Sequence, residues 1–270
     1  MRSPAVVVSQ IWRYPVKSLG GERIGRARVG PDGIAGDRLW AIRDKATGRI
    51  LSAKRHPALL GAVARHLDDS GDVAVTLPDG TTGIGGSTEL DGDVSRWLGI
   101  SAELVRRSPG VVSRFEMDVE CGSPEQVWVL RTVRGWFFDG RSPIHLLTSS
   151  SLAAGAVYHP EGTWDVRRFR PNLLLDTAGP RTGFVEDAWI DMTLVTGELQ
   201  LWLRKACDRC VMTTRAQPGL RDEKAVLHTL AANHAGNLGL LANPIRAGDV
   251  AEGDGAVLVP TPERPAIPDR

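Results

Sequence analysis

Glu198-Leu199-Gln200-Leu201-Trp202-Leu203 partly alternates polar and apolar side chains, which is the pattern of a half-buried β-strand. The strand leads directly into Lys205-Ala206-Cys207-Asp208-Arg209-Cys210-Val211-Met212-Thr213-Thr214, where thiols, cations and hydroxyls follow one another. Such side chains at the end of a strand are candidates for binding a ligand or a metal. The stretch therefore predicts a β-strand followed directly by a ligand-binding or metal-binding segment.

Most other elements of the chain are also strand-like. Short β-branched or aromatic runs bounded by turn residues lie at 6–13, 24–29, 39–43, 73–77, 126–133 and 173–175. Helical patterns are fewer, at 88–98, 149–158 and 221–234. Because the chain shows no regular β-α-β alternation, we expect a mainly β or α+β fold with two β-barrel-like domains and a few helices.

A division near residue 120 follows from the turn-rich segments 108–110 and 122–124. It predicts an N-terminal β-barrel domain over 1–120 and a second domain over 121–262. The Pro-rich end, 263–270, is predicted to be a disordered tail.

The composition narrows the class of protein. The 270 residues carry 33 Lys+Arg and 32 Asp+Glu, a net charge of +1, which argues against nucleic acid or an anionic membrane as the main partner. With 42% hydrophobic and 24% charged residues the chain has a globular composition. Its apolar runs are far shorter than the ~20 residues of a membrane-spanning helix, and no apolar signal region follows Met1. We expect a cytoplasmic protein.

The three cysteines are too few for a disulfide scaffold. Cys121 stands alone, whereas Cys207 and Cys210 form a Cys-x-x-Cys pair. This pair fits half of a zinc site, a redox dithiol, two small buried thiols, or one functional thiolate at Cys210. In the last case Arg209 would stabilise the thiolate and Thr213 would offer a hydroxyl nearby.

Basic residues stand at several turns. Lys17-Ser18 follows a strand, and Asp37-Arg38 closes a Gly-containing turn. Each suits an anionic ligand, although a solvated lysine and a surface ion pair are the plainer interpretations.

The run Arg167-Arg168-Phe169-Arg170-Pro171-Asn172 places three arginines in four positions. Pro171 favours an extended conformation at Arg170, from which a guanidinium and the Asn172 amide suit an oxyanion, although a solvated basic turn is the plainer interpretation. Upstream, Thr148 and Ser149 stand at a predicted helix start, another position that favours anions. Together, one thiolate with several cations and hydroxyls suits an anionic cofactor that carries a phosphate and a soft metal.

Five motifs in order resemble the MOSC family, named for the C-terminal domain of molybdenum cofactor sulfurase. They are Tyr-Pro-Val-Lys-Ser at 14–18, Gly-Asp-Arg at 36–38, Ser-Pro-Ile-His-Leu-Leu-Thr at 142–148, Arg-Phe-Arg-Pro-Asn at 168–172, and Cys-x-Arg-Cys-Val-Met-Thr-Thr at 207–214. The similarity runs from about residue 6 to about 260 and includes the N-terminal β-barrel domain of the family. It extends to the branch that contains the amidoxime-reducing component.

This resemblance implies a molybdenum cofactor (Mo-molybdopterin) with Cys210 as the metal ligand and catalytic thiolate. The residues implied to bind the cofactor are Lys17, Ser18, Arg38, Thr148, Ser149, Arg170, Asn172, Arg209 and Thr213. The implied chemistry is two-electron reduction of small N-hydroxylated substrates. The chain departs from eukaryotic members after Thr214, at 215–220, so the substrate contacts there are expected to differ.

The source of electrons is expected to be a separate protein of iron–sulfur, flavin or haem type. Three cysteines are too few for a four-Cys cluster beside Cys210, and no Gly-x-Gly-x-x-Gly follows a strand. Two alternatives remain open at this stage: a carrier that passes on the cofactor or a persulfide sulfur at Cys210, and a binding domain without catalysis.

Overall fold

The computed structural model describes residues 6–67, 71–108, 113–116, 127–130, 137, 142–177, 183–262 and 264. Cys121 and the predicted boundary near residue 120 lie outside these residues. So does the predicted tail, except Arg264, whose guanidinium pairs with Asp191 at 2.7 Å.

Strands make up most of the regular structure. In chain order they are β1 (Val6–Arg13), β2 (Glu22–Ile24), β3 (Arg26–Gly30), β4 (Gly33–Ile34), β5 (Trp40–Asp44), β6 (Arg49–Ile50), β7 (Val63–His66), β8 (Val73–Thr76), β9 (Thr82–Ile84), β10 (Ala102–Arg106), β11 (Ser113–Glu116), β12 (Val127–Leu130), β13 (Ile144–Thr148), β14 (Leu173–Thr177), β15 (Met192–Thr196), β16 (Leu199–Asp208), β17 (Asn237–Arg246), β18 (Gly248–Ala251) and β19 (Gly255–Pro260).

Helices are short and few among the described residues. They are α1 (Thr88–Leu98), α2 (Ser149–Tyr158), α3 (Val166–Phe169) and α4 (Lys224–His234), with 3₁₀ turns at Pro57–Gly61, Val185–Trp189 and Val211–Thr214. The predicted helix at 88–98 forms, but its N-cap is Ser87, whose hydroxyl accepts the Leu90 N–H. The mainly β prediction is confirmed.

Seven strands close a barrel. Their order is β14-β13-β17-β16-β15-β19-β1, and β1 pairs back onto β14. The first strand of the chain therefore completes a barrel whose other six strands lie between residues 144 and 260. On β16, Leu199, Leu201 and Leu203 are fully buried in the barrel core, which confirms the half-buried pattern predicted for 198–203.

A second hydrophobic core lies under α1 and the sheets β10-β5-β6-β11-β12 and β7-β8-β9. Val16, Leu19 and Leu60 are fully buried in it. Met212 packs against this core from the turn that follows β16. The turn that follows the Cys-x-x-Cys pair thus packs against this second core through Met212.

Candidate functional site

The five motifs of the sequence meet at one cavity of about 640 Å³. Its wall combines residues from the turns at 17–18 and 38, from β13, β17 and the segment 168–172, and from the end of β16. The lining residues are Lys17, Ser18, Arg38, Ser142, Pro143, His145, Arg168, Phe169, Arg170, Asn172, Arg204, Lys205, Cys207, Asp208, Arg209, Cys210, Met212 and Leu241.

Backbone hydrogen bonds hold the first two motifs side by side. The Arg38 N–H donates to the Tyr14 carbonyl at 2.8 Å, and the Lys17 N–H donates to the Trp40 carbonyl at 2.8 Å. Gly36 makes the turn between them possible because it has φ +85° and because a Cβ there would lie 2.4 Å from the His66 ring. The Lys-Ser and Gly-Asp-Arg turns therefore form one unit.

Asn172 joins three of the motifs. It is fully buried, and its amide oxygen accepts the His145 N–H at 3.1 Å. Its amide nitrogen donates to Asp37 at 3.2 Å and to the Trp12 carbonyl at 3.3 Å. Asp37 in turn accepts the Tyr14 N–H at 2.7 Å. Since the protein already engages both ends of this amide, Asn172 orders the cavity wall; its predicted bond to a cofactor stays a prediction.

Three non-glycine residues of the wall have left-handed backbone conformations. Ser18 has φ 68°, Arg38 has φ 51° and Arg170 has φ 54°. A positive φ costs a side-chain-bearing residue on the order of 1–3 kcal/mol and is kept where the side chain has a use. The convergence of three such residues on one cavity is independent structural support for a binding site there.

The arginine run is not extended, as its sequence had suggested. Asp165 caps the turn α3 by accepting the Arg167 N–H, and the chain leaves this turn through the left-handed Arg170. There the Arg170 guanidinium lies 4.2 Å from the Tyr14 ring centre and donates to the Leu19 carbonyl at 2.5 Å. The helical turn, not an extended strand, therefore aims Arg170.

Only one of the three arginines in that run lacks a carboxylate partner within the described residues. Arg167 pairs with Asp165 at 2.8 Å, and the fully buried Arg168 pairs with Glu223 at 3.1 Å. Arg170 is 9% exposed and bonds only a carbonyl. Asp37, which pairs with Arg38, lies close enough to Arg170 to oppose the lowering of its pKa, but Arg170 forms no ion pair among the described residues. Arg168 instead lines the cavity as part of a buried ion pair.

The cavity is strongly cationic. Seven Lys or Arg side chains and one carboxylate, that of Asp208, belong to its lining. Burial, together with Lys54, Arg38 and Arg170, lowers the pKa of Lys17 to about 8, while the nearby Cys210 opposes the change. Burial likewise lowers the pKa of Arg170 to about 10. Like charges held this close favour binding of a multiply charged anion.

The two thiols of the Cys-x-x-Cys pair have different surroundings. Cys207 is buried and accepts an N–H of Arg209 at 3.0 Å. Cys210 is half-buried at the cavity wall, and its carbonyl accepts both the N–H and the hydroxyl of Thr213 at 3.0 and 2.9 Å. Thr213 therefore fixes the turn that presents Cys210, and Thr213 itself does not line the cavity.

Arg209 links the last motif to the others. Its guanidinium donates to the Phe169 carbonyl at 2.7 Å and approaches His145 Nε2 at 3.4 Å. Its Nε is buried and has no hydrogen-bond partner within the described residues. A donor in this state is available to a bound ligand.

Thr148 and Ser149 do not line the cavity. Thr148 is the N-cap of α2, as predicted, but its hydroxyl donates to Glu186 at 2.7 Å. Ser151 donates to the same carboxyl at 2.5 Å, so Glu186 lies at the start of α2. Their predicted cofactor contacts stay predictions, and the structure gives Thr148 a partner of its own.

His145 lies at the cavity wall and belongs to the motif at 142–148, but the sequence did not identify it as a site residue. It is 6% exposed, and its Nε2 lies 3.2 Å from the Leu238 carbonyl. Burial and the neighbouring Arg209 lower its pKa to about 3, so the ring is neutral near pH 7. Its position inside the motif at 142–148 is the signal that could have identified it.

Two kinds of feature are absent from the described residues. No group of three or more His, Cys, Asp or Glu side chains there could hold a metal ion. None of the helices in the described ranges has the length and apolarity needed to cross a bilayer.

Comparison with known protein families gives matches over most of the chain. Residues 5–96 match the MOSC N-terminal beta barrel domain, and residues 125–257 match the MOSC domain.

Two curated relatives show similar, low identity. The molybdenum cofactor sulfurase of Danio rerio is 26% identical over 257 residues, which cover 79% of this chain and 30% of the relative. Mitochondrial amidoxime-reducing component 1 of Mus musculus is 26% identical over 247 residues, covering 83% of this chain and 70% of the relative. This chain therefore spans less than a third of the sulfurase. The crystal structure of the YUAD protein from Bacillus subtilis aligns over 93% of both chains with a TM-score of 0.48 and 10% identity.

Proposed function

Because the chain belongs to the MOSC family, we propose that it binds the molybdenum cofactor and reduces N-hydroxylated compounds with electrons from a separate donor protein. The observation that carries this proposal is the position of Cys210. Its thiol lies at the wall of a cavity that also contains Lys17, Arg38, Arg170 and Arg209. A soft ligand beside a cluster of cations suits a group that combines a soft metal with anionic organic sulfur and phosphate.

The residues present fit such a group on three counts. Positive charge is available, since Arg170 and Lys17 have pKa values lowered by burial and by neighbouring cations. An unused donor is available, since the Arg209 Nε is buried without a partner in the described part of the chain. The cavity of about 640 Å³ lies within the usual range for cofactor sites.

Each residue has a role within this proposal. Cys210 is the metal ligand. Lys17, Arg38, Arg170 and Arg209 neutralise the negative charge of the cofactor, and Ser18 stays at the cavity with its oxygen accepting the Ala53 N–H at 3.0 Å. When bound, the cofactor supplies the redox chemistry that converts an N-hydroxyl group, two electrons and two protons into an N–H group and water.

The similarity to mitochondrial amidoxime-reducing component 1 of Mus musculus supports the reductase function over the carrier. This chain spans less than a third of the sulfurase relative, so the activity of that relative is a weaker guide.

The test is turnover of benzamidoxime by molybdenum-loaded protein with a reduced viologen as donor. The proposal expects benzamidine to form in the wild type and none to form in Cys210→Ala. Full molybdenum loading with no turnover would overturn the reductase proposal in favour of a carrier. Absence of molybdenum from protein made in a cofactor-producing host would overturn cofactor binding itself.

A further inference from the structure

Arg204 occupies an irregular position in β16. Leu203 pairs with Ala242 and Lys205 pairs with Leu241, so two residues of β16 advance while β17 advances by one. Arg204 is therefore the extra residue of a β-bulge. Successive residues of a regular strand face opposite sides, yet Arg204 and Lys205 both line the cavity, as the bulge explains.

Neutral groups hold the Arg204 side chain. Its Nη1 donates to the Ser142 hydroxyl at 3.0 Å, and that hydroxyl donates to the Asn243 amide oxygen at 2.8 Å. Ser142 is 8% exposed and Asn243 is 6% exposed, so this support is buried. Arg204 has no carboxylate partner among the described residues.

The neighbouring cation differs in this respect. Lys205 is exposed and pairs with Asp208 at 3.1 Å, so the charge of Lys205 is balanced locally. Arg204 is half-buried, and its remaining guanidinium N–H groups make no hydrogen bond within the described residues. A guanidinium held by uncharged buried partners at a cavity wall is arranged to bind an anion.

Arg204 comes from a different part of the chain than the residues assigned to the cofactor. Those residues come from the turns at 17–18 and 36–38, from Arg170 and from the segment after Asp208. Arg204 instead shares the β16–β17 side of the cavity with Ser142, Pro143 and Leu241. Within the described part of the chain, this side combines the Arg204 guanidinium with apolar surface from Pro143 and Leu241.

We propose that Arg204 determines substrate specificity by binding a carboxylate, so that the substrates of this protein are N-hydroxylated compounds that also carry a carboxylate group. The inference rests on the proposed reductase function. A guanidinium offers parallel N–H groups that match the two oxygens of a carboxylate, a geometry that lysine cannot reproduce.

The experiment compares 4-carboxybenzamidoxime with benzamidoxime, using molybdenum-loaded protein and reduced viologen. We expect the wild type to favour the carboxylated compound in kcat/KM. Arg204→Gln should lower that preference about 10- to 100-fold through KM, the loss expected for a hydrogen bond to a charged group. Arg204→Lys should restore part of it. Lys205→Gln is the matched control and should retain the preference.

A binding measurement separates this inference from the proposed function. Calorimetry with 4-carboxybenzamidine, the reduction product, should give a dissociation constant about 10- to 100-fold weaker in Arg204→Gln than in the wild type. Equal binding and an equal substrate preference in the two proteins would overturn the role of Arg204. Loss of molybdenum from Arg204→Gln would also overturn it, because the side chain would then hold the cofactor. Product binding that depends on Arg204, without turnover of either compound, would contradict the reductase function alone.

Discussion

The Arg170 guanidinium lies 4.2 Å from the centre of the Tyr14 ring, although 155 residues separate the two in the chain. The same ring lies 5.5 Å from the Arg38 guanidinium. Tyr14 is 2% exposed, so these contacts are shielded from water. A cation–π interaction that is shielded in this way is worth about 2 kcal/mol. Tyr14 therefore positions two cations that strained backbones aim at the cavity.

Two substitutions of Tyr14 distinguish the role of its ring from the role of its hydroxyl. Tyr14→Leu removes the stacking surface, and we expect retention of molybdenum to weaken at least tenfold. Tyr14→Phe keeps the ring and should retain most of the metal. The measurement is metal content after dialysis at increasing salt. Equal losses in the two variants would contradict the stacking role and leave the hydroxyl as the important group.

Arg168 and Arg170 should respond differently to replacement. Arg168→Met removes the fully buried partner of Glu223 at 3.1 Å, while Arg221 at 3.5 Å and His159 at 3.6 Å remain beside that carboxylate, and we expect the free energy of unfolding to fall by about 1.5–3 kcal/mol. Arg170→Met leaves no carboxylate unpaired, so its loss of stability should be smaller. Its retention of cofactor should instead fall by one to two orders of magnitude.

Urea unfolding of cofactor-free protein and molybdenum retention in loaded protein together test this difference. Arg170→Lys should recover only part of the retention, because lysine lacks the bidentate fork. The same stability loss in Arg168→Met and Arg170→Met, with molybdenum kept in both, would show that Arg170 is also structural.

His145 should make stability depend on pH. Its folded pKa of about 3 lies below the usual value of about 6.5 for an unfolded histidine. As the pH falls below 6.5 the unfolded chain therefore binds a proton that the folded chain does not, and stability is lost at up to about 1.4 kcal/mol per pH unit. Arg209 and Arg38 both face this ring and oppose its protonation, in addition to burial.

Urea unfolding at pH 7, 6 and 5 measures this slope, above the range in which ordinary carboxyls titrate. His145→Gln should have a shallower slope than the wild type. His228→Gln, a substitution at an exposed histidine, is the matched control. Identical slopes in wild type and His145→Gln would contradict the lowered pKa.

Electron supply gives a further prediction. The reduction requires two electrons per turnover, and the sequence carries no nucleotide-binding glycine motif. Molybdenum-loaded protein should therefore be inactive with NADH alone and active with a reduced viologen or a separate redox protein. Turnover with such a partner should fall as salt rises, because weak docking interfaces are partly electrostatic. NADH-driven turnover by the purified chain would contradict this.

Local patterns predicted much of the fold. The alternation at 198–203 predicted β16, and the apolar run at 6–13 predicted β1 with its observed bounds. Closure of the barrel by β1 could not be predicted, because pairing of Val8 with Leu175 depends on contacts far apart in sequence.

The sequence identified the motifs of the candidate site but not every residue that lines its cavity. The sequence identified Lys17, Arg38, Arg170 and Cys210, which all line the cavity. It could not distinguish Arg170 from Arg168, since only the fold shows which arginine meets Glu223. It also could not identify Arg204, because a bulge is a property of two paired strands and not of one.

The most direct test of the central claim is the molybdenum content of protein purified from a host that makes the cofactor. Wild type and Cys207→Ala should contain close to one molybdenum per chain, whereas Cys210→Ala should contain almost none and keep its fold by circular dichroism. Equal loss of metal in the two cysteine variants, or zinc in place of molybdenum in the wild type, would contradict a single thiolate ligand at Cys210.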